Sequence, residues 1–216
     1  MATLLLQAVV FPQGSFLQKG QNGIGIYIDY NKNTIQSEFG GEVVYSRRGL
    51  IDFGISISNI SFVEKAGGLV DVSALAVIPS VTWHFIKEDS LAIPFSSSID
   101  VKYERDSYSS EALDEVGHSF DGNYVNAGAS AYKDIVVSSE VGAQPTVRIG
   151  YQAGFRTLSD NQGGTLTLHD HSFLFDGEVT LLYRTSPVTR LRIVPGVRVD
   201  NLATTMLLKI GYLFAR

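Results

Sequence analysis

Phe173-Leu174-Phe175-Asp176-Gly177-Glu178-Val179-Thr180-Leu181-Leu182-Tyr183-Arg184 is the stretch on which the fold turns. Read two residues at a time, Phe173, Phe175, Val179, Leu181 and Tyr183 share one side of an extended chain. Asp176, Glu178 and Arg184 share the other, because successive side chains of a strand point to opposite faces. The pattern returns in Leu191, Ile193, Val197 and Val199 against Arg190, Arg192 and Arg198, and again in Leu208, Ile210, Tyr212 and Phe214 against Lys209 and Gly211. Three consecutive strands thus oppose an aliphatic and aromatic face to a face with full charges in mid-strand. Such strands fit a soluble fold with the charges outside, or a membrane-spanning barrel with the charges inside and the apolar face in lipid.

The alternation runs back through the chain. Ile24, Ile26, Ile28 and Tyr30 oppose Gly25, Tyr27 and Asp29, followed by the turn cluster Asn31-Lys32-Asn33. Thr34 to Ser46 sets Ile35, Phe39, Val43 and Tyr45 against Gln36, Glu38, Gly40 and Glu42, and a tight turn follows at Arg47-Arg48-Gly49. Ile51, Phe53, Ile55 and Ile57 oppose Asp52, Gly54, Ser56 and Ser58. Between Val70 and Phe85 the pattern blurs, and it places Trp83 and Phe85 outward with Thr82 and His84 inward. Leu91 to Glu104 opposes Ile93, Phe95, Ile99, Val101 and Tyr103 to Ser96, Ser98, Asp100, Lys102 and Glu104. Tyr124 to Tyr132, extended toward Ser139, and Val147 to Phe155 repeat it. Arg105 to Asn123 has no period and reads as a long loop, as does the polar segment from Thr157.

About ten strands joined as sequential hairpins, with no helical period, make an up-and-down antiparallel meander the economical topology. The range is eight to twelve. The connections Arg47 to Gly49, Lys87 to Ser90 and Thr185 to Pro187 are tight, whereas Ser61 to Leu69, Arg105 to Asn123 and Thr157 to Asp170 are long. Short turns at one end and long loops at the other are the habit of outer-membrane barrels.

Composition narrows the classes. No run of about eighteen apolar residues exists, so no helix is expected to cross a membrane. A net charge of −5 argues against nucleic-acid binding. The chain has no cysteine, hence no disulfide and no thiolate metal site. Residues 20–216 read as one β domain. Residues 1–19, with the apolar run Leu4, Leu5, Leu6, Ala8, Val9 and Val10 but no basic start, read as a leader remnant, an extra strand or a plug.

The polar-face charges separate along the chain. Glu38, Glu42, Asp52, Asp100 and Glu104 fall in the first half, with Lys102 among them. Arg148, Arg156, Arg184, Arg190, Arg192, Arg198 and Lys209 fall in the second, with Asp176 and Glu178 among them. In bulk water such segregation gains little, since exposed pairs contribute about 0–1 kcal/mol. In a closed lumen one wall answers the other, so these residues are expected to line an interior. Tyr30, Tyr45, Trp83, Tyr103, Tyr151, Tyr183 and Tyr212 lie toward the ends of the apolar faces, as in the aromatic girdles of a bilayer interface.

On these patterns, over residues 20–216, the sequence resembles the small monomeric outer-membrane β-barrels of Gram-negative bacteria. Gly14 to Gly20 running straight into an alternating strand is similar to the start of a mature barrel. The last strand departs from the family, whose final residue is usually aromatic, because Ala215 and Arg216 follow Phe214. The resemblance implies a location in the outer membrane, contact with membrane lipid and lipopolysaccharide, a monomer and no cofactor. Pro195 in mid-strand asks for a bulge, because a closed barrel has no edge to hide a missing donor.

Candidate chemistry is sparse. His169 and His171 share one side of a strand end and are weak metal candidates without a third ligand. His171-Ser172 and His118-Ser119 with Asp121 raise a membrane-embedded hydrolase as an alternative. His84 beside Trp83 reads as a rim or lumen residue. The expected function is a narrow, porin-like channel or a binding barrel for small polar or amphipathic solutes, since a barrel of eight to ten strands is largely filled by side chains. The alternatives are a structural or adhesive barrel with a plugged lumen, and a soluble barrel whose Ile26, Phe53, Ile149 and Ile210 line an apolar pocket.

Overall fold

The computed structural model describes residues 17, 20–62, 72–86, 94–115, 117–201 and 203–216. Ten long strands form the wall: β1 (Gly23–Lys32), β2 (Gln36–Arg47), β3 (Ile51–Phe62), β4 (Ser73–Ile86), β5 (Ser96–Ser109), β6 (Ser119–Tyr132), β7 (Val141–Ser159), β8 (Thr165–Arg184), β9 (Thr189–Val199) and β10 (Thr204–Ala215). A short helix, α1 (Glu111–Glu115), joins β5 to β6, and a two-residue strand, Ile135–Val136, caps the lower part of β7. Every strand pairs antiparallel with its neighbour in sequence, and β10 closes onto β1 from Gly23↔Ala215 to Lys32↔Met206. The fold is a closed antiparallel ten-stranded barrel.

Closure fixes its dimensions. Followed strand to strand from Glu178 through Gly196, Leu207, Asn31, Glu38, Ile60, Ala74, Tyr108, Phe120 and Leu158, the ladder re-enters β8 at Leu166, twelve residues from where it set out. With strands about 4.8 Å apart and a rise of about 3.3 Å per residue, this shear gives a tilt of about 40° and a backbone radius of roughly 10 Å. Each step to the next strand therefore climbs about 3 Å along the axis. The end that holds Gly23, Ala215 and the turns after the even-numbered strands is called lower here.

The strands above the lipid are longer than the sequence suggests. Arg105 to Asn123 is not one loop: β5 continues to Ser109 and β6 begins at Ser119, with Tyr108 paired to Phe120. Likewise β7 runs to Ser159 and β8 starts at Thr165, which leaves only residues 160–164 between them. The alternation persists there, but water wets both faces, so the apolar–polar contrast that marks a half-buried strand is lost. Loop length consequently does not separate the two ends. Residues 33–35 and 200–203 are short upper connections, and the difference in height is carried by β5 to β8. The upper part of β8, Thr165 to Leu174, pairs only with β7, because β9 ends at Val199 opposite Phe175.

Other expectations meet the structure at single residues. β5 begins at Ser96, not Leu91, and the expected tight turn at Lys87 to Ser90 lies outside the described residues. β6 ends at Tyr132 without reaching Ser139. Pro195 causes no bulge: pairing to β8 lapses between Ile193↔Leu181 and Gly196↔Glu178 and resumes in the same register. The missing N–H therefore removes a rung and shifts nothing. At the turn after β2, Arg48 and Gly49 both have left-handed φ, 54° and 59°, the sign that a tight hairpin with right-handed strand twist demands.

Candidate functional site: a charged lumen with a packed floor

The outer wall is aliphatic. Ile26, Phe53, Ile149 and Ile210 are 53%, 45%, 63% and 42% exposed, so they face away from the interior and the soluble barrel with an internal apolar pocket is overturned. Tyr45, Trp83, Tyr183 and Tyr212 lie near the lower strand ends, all exposed. Tyr30 lies near the upper end of β1, and the climb of the ladder brings Tyr103 and Tyr151, mid-strand in sequence, level with it. Phe85, Phe95 and Phe214 below and Phe39 and Phe173 above extend the two rings. They bound an apolar band around the barrel, as the aromatic girdles of outer-membrane barrels do.

The fifteen charged residues named from the sequence occupy inward-facing strand positions. The segregation of acids and bases suggests pairing across the lumen, but the ion pairs given below take another course. They run along the wall, over one or two strands. Arg148 on β7 donates through Nε and Nη2 to both carboxylate oxygens of Asp100 on β5, at 2.8 and 2.7 Å. It also donates to Asp176 on β8 at 3.2 Å and to Asn126 at 2.5 Å. Asp176 accepts in turn from Arg198 on β9 at 2.8 Å. Lys209 on β10 reaches Glu42 on β2 at 2.6 Å, and Arg156 reaches Asp170 at 2.6 Å. The tilt explains this, because it sets residues two strands apart beside each other at one level, while the opposite wall lies about two side-chain lengths away.

Glycine makes room for these groups. A β-carbon on Gly128 or Gly150 would stand 2.5 or 2.7 Å from the Arg148 guanidinium, so that side chain lies flat on a strip of bare backbone. A β-carbon on Gly25 or Gly211 would collide with the ring of Tyr27. Tyr27 is 1% exposed and lies beneath two cations, with the Arg192 guanidinium 5.5 Å and the Lys209 ammonium 5.9 Å from its ring centre. Sequence pattern gives Tyr27 only an inward direction. The paired glycines on the neighbouring rungs are the signal that a large ring lies across them.

Below this level side chains of the described residues crowd the interior. Leu17, Tyr27, Val44, Leu213 and Ala215 form a buried apolar cluster against β1, β2 and β10. Leu17 is the one described residue before Gly20; the leader, strand and plug alternatives for the rest of 1–19 lie outside the described residues. On the opposite side His84 bridges Asp52 and Tyr132, each at 2.9 Å, and is 2% exposed. Gln144 donates to Asp134 at 2.7 Å. Above the floor a cavity of about 1000 Å³ runs from Asp52, Thr82 and Arg192 to the upper rim at Phe62, Val72 and Asp200.

The remaining candidates do not assemble. His169 and His171 are exposed on the outer face of the β8 extension, and among the described residues no group of three His, Cys, Asp or Glu gathers to hold a metal. The Ser172 hydroxyl turns to the Phe173 carbonyl at 3.3 Å, while the imidazole of His171 projects from the opposite face. Ser119 is exposed, and Asp121 accepts from Ser107 at 3.2 Å. Neither set forms the nucleophile–base–orienter line that hydrolysis requires.

No family model matches this sequence, and no curated protein matches it. Solved structures do. The translocator domain of the autotransporter NalP from Neisseria meningitidis is similar with a TM-score of 0.52 and 8% identity, over 90% of this chain and 88% of that one. The β domain of the Bordetella autotransporter BrkA is similar with a TM-score of 0.52 and 9% identity, over 89% of this chain and 98% of that one. At such identities the likeness is one of fold. Together with the aliphatic outer wall, it makes this chain a membrane-spanning β-barrel of the bacterial outer-membrane type.

Proposed function

We propose that the barrel is a binding cup for small polar or amphipathic solutes, open at its upper end and closed below, rather than a diffusion pore. The observation that carries this reading is the cavity of about 1000 Å³ standing on a packed floor. A ten-stranded wall of roughly 10 Å radius leaves little free bore once side chains point inward. Here the lower half of that bore holds Leu17, Tyr27 and the Arg148 and His84 networks. The cup works as a monomer, its outer wall in contact with membrane lipid and, on the outer leaflet, lipopolysaccharide. Passage to the other side would require the floor to move.

Single-channel recording in a planar bilayer tests this. The expected trace for the wild-type barrel is silent apart from brief events, and Tyr27→Ala, which empties the centre of the floor, gives steady openings. A steady ohmic conductance from the wild-type protein would show a continuous pore and end the cup reading.

A further inference from the structure

The upper lumen has a chemistry of its own. Phe62, Tyr108 and Phe120 meet at the inner rim, with ring centres 6.0 Å apart for Phe62 and Tyr108 and 4.6 Å for Tyr108 and Phe120. They rest on a buried patch of Ile60, Ala74 and Ala76. Just below them on β5 stand Asp106 and Glu104, with Glu38 of β2 and Asp29 of β1 on the same cavity wall. Asp106 is 3% exposed; its Oδ2 accepts from the Tyr108 hydroxyl at 3.2 Å, while its Oδ1 has no hydrogen-bond partner. Asp29, 7% exposed, also has an Oδ1 without one. A buried carboxylate oxygen left unmatched costs free energy that an incoming donor recovers.

The protein's own cations do not fill this need. Among the described residues nine carboxylates and six lysine or arginine side chains line the cavity. Three of the six are committed: Lys209 to Glu42, Arg198 to Asp176 and Arg156 to Asp170. Arg192 lies lower, against Tyr27 and hydrogen-bonded to Thr180. Lys32 and Lys102 remain for the four carboxylates of the upper wall. Carboxyl groups thus outnumber cations along the lining, and they border three adjoining aromatic rings.

Resting on the cup reading, we infer that the upper lumen takes an organic cation with an apolar or aromatic body, its ammonium against Asp106, Glu104 and Glu38 and its body against Phe62, Tyr108 and Phe120. Carboxylates attract the charge, ring faces add cation–π attraction, and the apolar patch takes up the hydrocarbon. An anion meets repulsion from the same wall. A neutral solute of equal size gains the apolar contact alone.

Isothermal titration of the barrel in lipid nanodiscs, against three water-soluble probes of one shape, tests the inference. Benzylammonium, which carries both the charge and N–H donors, should bind at least tenfold more tightly than benzyl alcohol, and benzoate should give no binding heat. Asp106→Asn, nearly isosteric, should weaken the cation at least tenfold and leave benzyl alcohol unchanged. Glu104→Gln should do so to a lesser degree, with folding of each variant checked by the mobility difference between unheated and boiled samples in gels. Equal affinity for the cation and the alcohol, preference for benzoate, or an Asp106→Asn variant that binds the cation as well as wild type would overturn the inference. The cup reading is judged separately: a silent bilayer trace with binding of the wrong probe refutes the cation alone.

Discussion

Replacing Arg148 with alanine should lower the free energy of unfolding by about 3–5 kcal/mol, the cost of leaving a buried charge without its partner. Asp100 is held by both guanidinium nitrogens of Arg148, and both residues are under one-tenth exposed. Asp176 keeps Arg198 when Arg148 is lost, so the stranded group is chiefly Asp100. Adding Asp100→Asn to the Arg148→Ala background should therefore return a substantial part of the loss, which an independent pair of sites would not do. Urea unfolding in lipid vesicles, followed by the fluorescence of the single tryptophan, Trp83 on the lower aromatic ring, reads this directly. A loss below about 1 kcal/mol, typical of a solvent-exposed pair, would mean that water surrounds Arg148.

Ile210→Arg should cost about 2–4 kcal/mol, the penalty for an arginine on the lipid face near the bilayer midplane. Ile210 is 42% exposed, lies one outward position above Tyr212, and has Ile28 and Ile193 as ladder partners, so hydrocarbon surrounds it on every side. Thr167→Arg is the paired control. Thr167 is exposed on the outward side of the β8 extension above the upper aromatic ring, where water is the surrounding medium and its ladder partner is Thr157, and its substitution should change stability by less than about 0.5 kcal/mol. Equal effects at the two positions would mean that the same solvent bathes both, and the bilayer would have no place in the account.

The wall of this barrel is legible in the sequence wherever lipid supplies the contrast. In β8 below Phe173, each outward position must be apolar and each inward one can carry charge, so Asp176, Glu178 and Arg184 declare the lumen without a coordinate. Above the aromatic ring that constraint is lifted. Thr165 to Asp170 and Arg105 to Ser109 are strands without a hydrophobic signature, held by backbone pairing and by local polar contacts such as Arg156–Asp170 and Ser107–Asp121. Asp106 was thereby hidden inside an apparent loop, although it continues the inward series Asp100, Lys102, Glu104. Pairing choices were hidden for another reason. Acid and base segregation shows which halves of the ring differ in charge, but the shear, which a sequence does not display, decides that Arg148 meets Asp100 and Lys209 meets Glu42. The floor was out of reach too, because Leu17 and Tyr27 become a stopper only when closure of β10 onto β1 brings Leu213 and Gly211 beside them.

Because the chain has no cysteine, single spin labels can be placed along β8 from position 173 to position 182 without background. In lipid vesicles the accessibility to dissolved oxygen should then alternate with a period of two, high at 173, 175, 179 and 181 and low at 174, 176, 180 and 182. The opposite phase, with oxygen reaching the positions of Leu174, Asp176 and Leu182 while those of Phe175 and Leu181 are shielded, would put the charges on the outside and contradict the membrane barrel and everything built on it.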